Sequence, residues 1–326
     1  MSGGSLAYQL RPNKAVDRNL LIDLLNKLNR VVNISDYSYF GFGGPFLEDF
    51  KLMHAHLRID KMTSIEESKD VYLRQEFNSP LSCIQLVNKP SCDFIESESF
   101  DSKNIVWLDY SSPERGQQLK EIDYLVTKLS KGDILKVTLN SNPSSLGGKP
   151  TEDKDLQEVR LEILESVLNE YFPFDTKAKN LTSSHFGKVM FKALELAIMN
   201  GMRGKPKEYF QVLSAFLYKD GGHEMLTVTG ILLDDDQEKI TDFFNGTRLK
   251  NWPLGLFEWS EPKQINVPEL SVKERIHIDG FLPTVDSNAI KKSLGYCIGD
   301  DIEMDLLIEN YITYYRLYPL FSRVVL

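Results

Sequence analysis

Cysteine is scarce: Cys83, Cys92 and Cys297 are the three in 326 residues, with no CxxC pair and no histidine at ligand spacing. That count fits a reducing compartment better than a disulfide framework or a zinc site, with the thiols expected to be buried as small apolar side chains. No apolar run approaches the ~20 residues that a membrane-spanning helix needs. The N-terminal Met1-Ser2-Gly3-Gly4-Ser5 carries no apolar signal core. A cytoplasmic protein without a membrane partner is the expectation. Positive charge is in deficit as well, with 38 Lys and Arg against 47 Asp and Glu and a net charge of −9, which disfavours indiscriminate binding to nucleic acid or anionic lipid. The phosphate-binding GxxxxGK[ST] loop, the zinc HExxH, the GxSxG nucleophile elbow and paired glycosidase carboxylates are all absent as motifs.

What remains is an ordinary globular composition, 42 % hydrophobic and 26 % charged, on a chain long enough for a sizeable core. Leu20, Leu21, Leu24, Leu25 and Leu28 recur at helical spacing over residues 17–31. Residues 37–42 then read as a buried aromatic strand, cut off by Gly41, Gly43 and Gly44, with Pro45 where a helix takes its first position. The helix that follows, to about residue 58, puts Phe46, Phe50, Met53 and Leu57 on one stripe. Strands at 62–65, 83–87, 104–108 and 133–139 continue the alternation, separated mostly by helices such as the one carrying Leu119, Ile122, Val126 and Leu129. Five such strands imply a parallel sheet with helices on both faces. Ligands bind such sheets at the C-terminal strand ends, where the loops at 41–45, 66–68, 93–94, 109–113 and 140–145 should converge.

Two helical segments, about 153–171 and 185–202, precede strands at 212–218 and 225–233 joined through Asp220-Gly221-Gly222-His223, a hairpin signal. The expected fold is therefore α/β, a Rossmann-like seven-stranded, mostly parallel sheet ending in a β-hairpin. An N-terminal helical segment (residues 1–30) precedes the domain (31–240). A C-terminal extension (241–326) with Trp252, Trp259 and the Tyr311, Tyr314, Tyr315 and Tyr318 stripe packs on it.

Over about residues 30–235 the chain resembles the class I S-adenosylmethionine-dependent methyltransferases, on Tyr39-Phe40-Gly41-Phe42-Gly43-Gly44-Pro45, Ser64-Ile65-Glu66-Glu67, Ser91-Cys92-Asp93-Phe94 and Trp107-Leu108-Asp109-Tyr110-Ser111-Ser112-Pro113. The resemblance implies S-adenosylmethionine as cofactor, with Gly41 and Gly43 passing beneath it, Glu66 on the ribose hydroxyls, Asp93 on the adenine amino group and Phe94 packed on the ring. It also implies Asp109 and Tyr110 at the acceptor. A carboxylate at Asp109 suits in-line methyl transfer because it can align a hydroxyl or amine and accept its proton. The chain departs from the family where an acid is usual two positions before the first glycine: Tyr39 stands there. With its Arg11-Pro12-Asn13-Lys14 start, the chain is similar to a bacterial group classed as O-methyltransferases on cofactor-fold grounds.

Three readings follow. The first is an enzyme methylating a small molecule, nucleotide or RNA. The second, suggested by Tyr39, is a noncatalytic nucleoside-binding module with a protein partner. The third is nicotinamide chemistry, opposed by Phe46 where a GxGxxG fingerprint needs glycine. Residues 185–207 carry Lys188, Lys192, Arg203, Lys205 and Lys207 against Glu195 alone, a basic stretch that could hold phosphate, although solvated faces are the commoner use of such clusters. The Asn140-Ser141-Asn142-Pro143-Ser144-Ser145 run reads as a turn or as a reader of a polar substrate.

Overall fold

The first helix, α1 (Pro12–Leu28), opens with proline in its first turn, where the missing N–H costs no hydrogen bond. In the computed structural model, which describes residues 11–283, 286–299 and 303–319, this helix lies against a central sheet. The Met1–Ser5 segment falls outside the described residues. Five strands alternating with four helices follow: β1 (Ser38–Gly41), α2 (Glu48–Leu57), β2 (Lys61–Ile65), α3 (Lys69–Asn78), β3 (Ile84–Val87), α4 (Ser91–Ser97), β4 (Asn104–Asp109), α5 (Arg115–Lys128) and β5 (Ile134–Asn140). Two helices, α6 (Leu156–Leu168) and α7 (Ser183–Met202), lead to the hairpin β6 (Glu208–Asp220) and β7 (His223–Asp234). Its turn uses Gly221 and Gly222 at φ 56° and 88°, a backbone region that glycine enters without strain.

The sheet order is β3-β2-β1-β4-β5-β7-β6-β8, where β8 (Lys263–Ile265) comes from the C-terminal segment and pairs parallel with β6. The expected seven strands thus become eight, because Lys263–Ile265 satisfies the outer edge of β6. So short a strand, three residues in an otherwise irregular stretch, leaves no periodicity to read. β1 to β5 are mutually parallel and β7 is antiparallel to both neighbours, so the C-terminal ends of the first five strands gather at one edge. The remaining helices are α8 (Gln237–Thr247), α9 (Val272–Asp279), α10 (Ser287–Leu294) and α11 (Met304–Tyr314).

Side chains alternate across the pleat and build two cores. On one face Tyr39, Trp107, Ile134, Phe216 and Tyr218 meet α1, α2 and the C-terminal helices; on the other Phe40, Val106, Leu135 and Val137 meet α4, α5 and α7. Tyr311, Tyr314 and Tyr318 are buried in the first core, and Trp259 packs on Phe191 of α7 and Phe210 of β6. The cysteines depart from expectation. Cys83 and Cys92 are half-buried and Cys297 is exposed: Cys83 sits in the turn before β3, packed on the margin of the first core, Cys92 in the short helix α4 and Cys297 in a loop.

Where α7 crosses α5, Gly201 leaves room for backbone: a Cβ there would press on the Asp123 carbonyl oxygen and lie 2.8 Å from Val126 Cβ. Neither can yield without separating the helices. Gly201→Ala is expected to cost about 1–3 kcal/mol in urea unfolding; an unchanged midpoint would show that the crossing is loose.

Candidate active site

The glycine turn leaves β1 directly. Gly41 closes the strand in register with Trp107 of β4 and Ser64 of β2, and a Cβ at Gly41 would sit 2.8 Å from the Tyr39 hydroxyl. Gly44 and Leu47 take φ 51° and 52° to reverse the chain into α2. A Cβ at Gly43 would collide with the Leu47 side chain and lie 2.7 Å from Ser64 Oγ. The turn is braced from behind: Ser64 Oγ accepts from the Gly43 N–H at 3.3 Å and donates to Gln75 Oε1, and Gln75 Nε2 donates to the Gly44 carbonyl at 3.0 Å. Asn78 of α3 donates to the Pro45 carbonyl at 2.9 Å. Gln75 is fully buried, a polar side chain on α3 whose partners are the Ser64 hydroxyl of β2 and the Gly44 carbonyl of the turn.

Glu66 follows β2 and is half-buried. Burial pushes its carboxyl up, the Ser68 N–H bonded to Oε1 at 2.8 Å holds it down, and the Glu67 charge adds to the rise. Asn88 Nδ2 donates to the carbonyls of Glu66 and Glu67 at 2.7 and 3.1 Å, tying the end of β2 to that of β3. Asp93 is exposed in the first turn of α4. Phe94 is 4 % exposed and its ring packs 5.8 Å from that of Phe40, beneath the edge rather than on it. At the edge itself, Phe42 and Tyr110 meet edge-to-face at 5.4 Å. The Tyr110 hydroxyl donates to Glu121 Oε2 at 2.8 Å, and Ser91 Oγ donates to the same oxygen at 2.6 Å. Burial, and then the Glu121 charge, push the Tyr110 hydroxyl well above its ordinary value. Phe42 and Glu121 did not emerge from the sequence, although an aromatic between two turn glycines is a visible signal for Phe42.

Asp109 ends β4 beside the glycine turn and turns toward α1. Lys14 Nζ lies 2.8 Å from its Oδ2, with side-chain exposures of 6 % and 10 %. This is one of five ion pairs that join α1 and its N-cap residue Arg11 to the sheet and to α2. Arg11 holds both oxygens of Asp220 at 2.8 and 2.9 Å, Asp17 accepts from Lys136 of β5 at 2.6 Å, and Arg18 pairs with Asp49 of α2. Lys14 also lies 3.7 Å from Asp220, so its ammonium sits between the ends of β4 and β6. Four cations thus meet four carboxylates. Burial pushes the Asp17 carboxyl up, against the opposing charge and hydrogen bond of Lys136. For Asp109 burial acts upward too, but Lys14, Arg18 and Lys136 outweigh it and hold the carboxyl below its usual range. Asp17 Oδ2 and the Tyr218 hydroxyl are buried without a partner beside this cluster. Of the eight charged residues, Asp109 alone was read from sequence as catalytic; the basic entry segment Arg11–Arg18 was read as a phosphate-holding group, and its cations are instead taken up by Asp220, Asp109 and Asp49. Lys136, a lysine in the apolar strand Ile134–Asn140, was the available signal.

The loop after β5 is held by Arg115, which also went unrecognised. Its Nε donates to the Asn140 carbonyl at 2.9 Å and its NH2 to Asn140 Oδ1 and the Asn142 carbonyl at 3.0 Å. Burial pushes the guanidinium down to about 10. The Asn140 side chain and the Asn142 carbonyl are thereby taken up within the loop. Of the basic residues in 185–207, Lys188 pairs with Glu261 and Lys192 with Asp175, all four lining a polar cavity of about 260 Å³, and Lys205 donates to the Leu129 carbonyl. Among the described residues no helix is long and apolar enough to cross a membrane.

MtNAS in complex with S-adenosylmethionine is similar at 10 % identity and a TM-score of 0.34, over 67 % of this chain and 62 % of that one. Trm1 from Pyrococcus horikoshii with S-adenosyl-L-methionine is similar at 12 % identity and a TM-score of 0.43, over 71 % of this chain and 57 % of that one. The chain thus spans less than two thirds of the length of either. The N-methyltransferase NodS from Bradyrhizobium japonicum WM9 is similar at 12 % identity and a TM-score of 0.36, over 67 % of this chain and 97 % of that one. No curated protein matches the sequence. A family model described as Putative O-methyltransferase matches residues 6–326, nearly the whole chain, and the chain belongs to that family.

Proposed function

We propose that the chain transfers a methyl group from S-adenosylmethionine to a hydroxyl or amine of a small-molecule or nucleotide acceptor. Membership of an O-methyltransferase family supports that donor and reaction. The observation that carries the reading is the register of β1 and β4: with Gly41 opposite Trp107, the glycine turn and Asp109 leave the sheet side by side. The residues fit the cofactor. A Cβ at Gly43 would clash with Leu47, Ser64 and Phe50, so glycine lets the turn seat tightly on the elements behind it, and a backbone without a side chain suits close approach to a ligand. Glu66 has committed Oε1 to Ser68, which leaves Oε2 for a ribose hydroxyl. Gly41 and Gly43 would support the amino-acid end, Glu66 the ribose and Asp93 the adenine amino group. The ring contact passes to Phe42 and Tyr110, because Phe94 is enclosed in the core.

When bound, S-adenosylmethionine supplies an electrophilic methyl carbon. The chain's own task is then alignment. Asp109, kept ionised by Lys14, accepts a hydrogen bond from the acceptor's O–H or N–H and directs its lone pair. Held below the usual carboxylate range, it is a better orienting group than a proton store.

A second reading, a nucleoside-binding module without transfer, is favoured by Tyr39 in the place of an acid and by the Lys14–Asp109 pair, which closes the carboxylate on the α1 side. Calorimetric titration with S-adenosylmethionine and S-adenosylhomocysteine tests both. Micromolar binding of either, followed by release of S-adenosylhomocysteine in an acceptor screen, is expected for the enzyme. Binding with no turnover across hydroxyl, amine, nucleotide and RNA acceptors would move the conclusion to the module. A folded chain that binds neither would exclude the enzyme and leave a noncatalytic module that takes another ligand or a protein partner.

A further inference from the structure

We infer that Lys14 sets how strongly the site prefers the cationic sulfonium donor to its neutral thioether product. The inference rests on the proposed function. Methyl transfer turns a sulfonium into a thioether, so donor and product differ by one positive charge at the sulfur. A lone carboxylate beside that atom would favour the donor, and a carboxylate cancelled by an ammonium would favour it far less.

Asp109 is placed for this role because it leaves β4 next to the turn that leaves β1. Among the described residues, the charged and titratable groups around it come from four elements. From α1 come Lys14 in direct contact, Asp17 and Arg18; from β5, Lys136; from β6, Tyr218 and Asp220; and from β1, Tyr39. Asp17 is already taken by Lys136, Arg18 by Asp49 and Asp220 by Arg11. Lys14 is thus the cation in direct contact with Asp109, and it comes from a helix outside the strand-and-loop motifs that surround the cofactor. The N-terminal helix is thereby part of the donor site.

The test is calorimetry of the full chain with S-adenosylmethionine and S-adenosylhomocysteine, comparing the ratio of their affinities among variants at pH 7.5. Lys14→Met is expected to raise the preference for the donor about tenfold, the effect of one charge no longer cancelled in a partly shielded site. Asp109→Asn should lower it by a similar factor, Lys14→Arg should keep the wild-type ratio, and the double variant Lys14→Met/Asp109→Asn should return to it. Without Lys14, burial raises the Asp109 carboxyl. The gain in Lys14→Met should therefore fade as pH falls toward 5, while the wild-type ratio stays flat over that range. A purely structural Lys14 would weaken both ligands together and leave the ratio unmoved, which would overturn the inference. If Lys14→Met fails to fold, an unchanged ratio in Asp109→Asn overturns it instead. Absence of binding to the wild-type chain overturns the functional reading, and this inference with it.

Discussion

Lys136→Met is expected to destabilise the protein by about 3–5 kcal/mol, the range for removing one partner of a buried ion pair. Lys136 is 2 % exposed and Asp17 is 0 % exposed. Methionine retains most of the lysine volume, so the loss comes from the charge left behind. Asp17 Oδ1 loses the ammonium at 2.6 Å, and Oδ2 already has no partner. The ring of Trp107 also loses the cation held 4.6 Å from its centroid. The variant should depend on pH in a definite sense. The Asp17 carboxyl is raised by burial even with Lys136 present, and without it the native value climbs further above that of the unfolded chain. The native state then binds the extra proton, so stability falls as pH rises from the unfolded value through the native one. Urea unfolding at pH 5 and pH 7 should show a larger deficit at pH 7. Adding Asp17→Leu should restore most of the loss, because an apolar replacement of both partners removes the uncompensated charge. A single-variant cost below about 1 kcal/mol would mean that water reaches Asp17.

Asp109→Asn is expected to lower turnover by about a hundredfold or more, with affinity for S-adenosylhomocysteine near that of the wild-type chain. The amide keeps the size of the side chain and can still accept a hydrogen bond, but it loses the charge and the symmetric acceptor that hold a nucleophile in line. Misalignment by about 1 Å is enough for a hundredfold loss. The neutral product carries no charge at sulfur for the carboxylate to recognise, so its binding isolates the alignment effect. Single-turnover rates and product affinity, measured on one preparation, decide the matter. A parallel fall in both would remove Asp109 from the reaction and leave it as a structural anchor for α1.

The alternation of strand and helix was legible because the period of the apolar residues is local. Residues such as Leu119, Ile122 and Val126 report their helix face without reference to the rest of the chain. The glycine turn was legible for a similar reason, since its conformations belong to single residues: Gly44 at φ 51° needs no distant partner to be recognised. The hairpin at Gly221-Gly222 follows the same logic. Glu66 and Asp109 could be placed at strand ends from their position after apolar runs. Their environments could not, because a carboxylate's partners come from wherever the fold brings charge.

Phe94 shows the limit. Its place after β3 matched an expected ring contact, but the short helix α4 turns it inward to Phe40. Leu47, read as part of a helix, instead takes the left-handed conformation that reverses the chain.

By itself, then, the sequence determined the α/β class, the parallel strands with a terminal hairpin, and which edge carries the acids and glycines. These depend on periodicity and on the conformational freedom of single residues. Only the tertiary structure decided that β8 would cap the sheet at β6, that Gln75 would brace the glycine turn, and that the charges of α1 would meet Asp109, Lys136, Asp49 and Asp220. Ion pairs between residues up to 209 positions apart leave no local pattern. Their energy arises only when both partners are withdrawn from water together, and that is settled by packing.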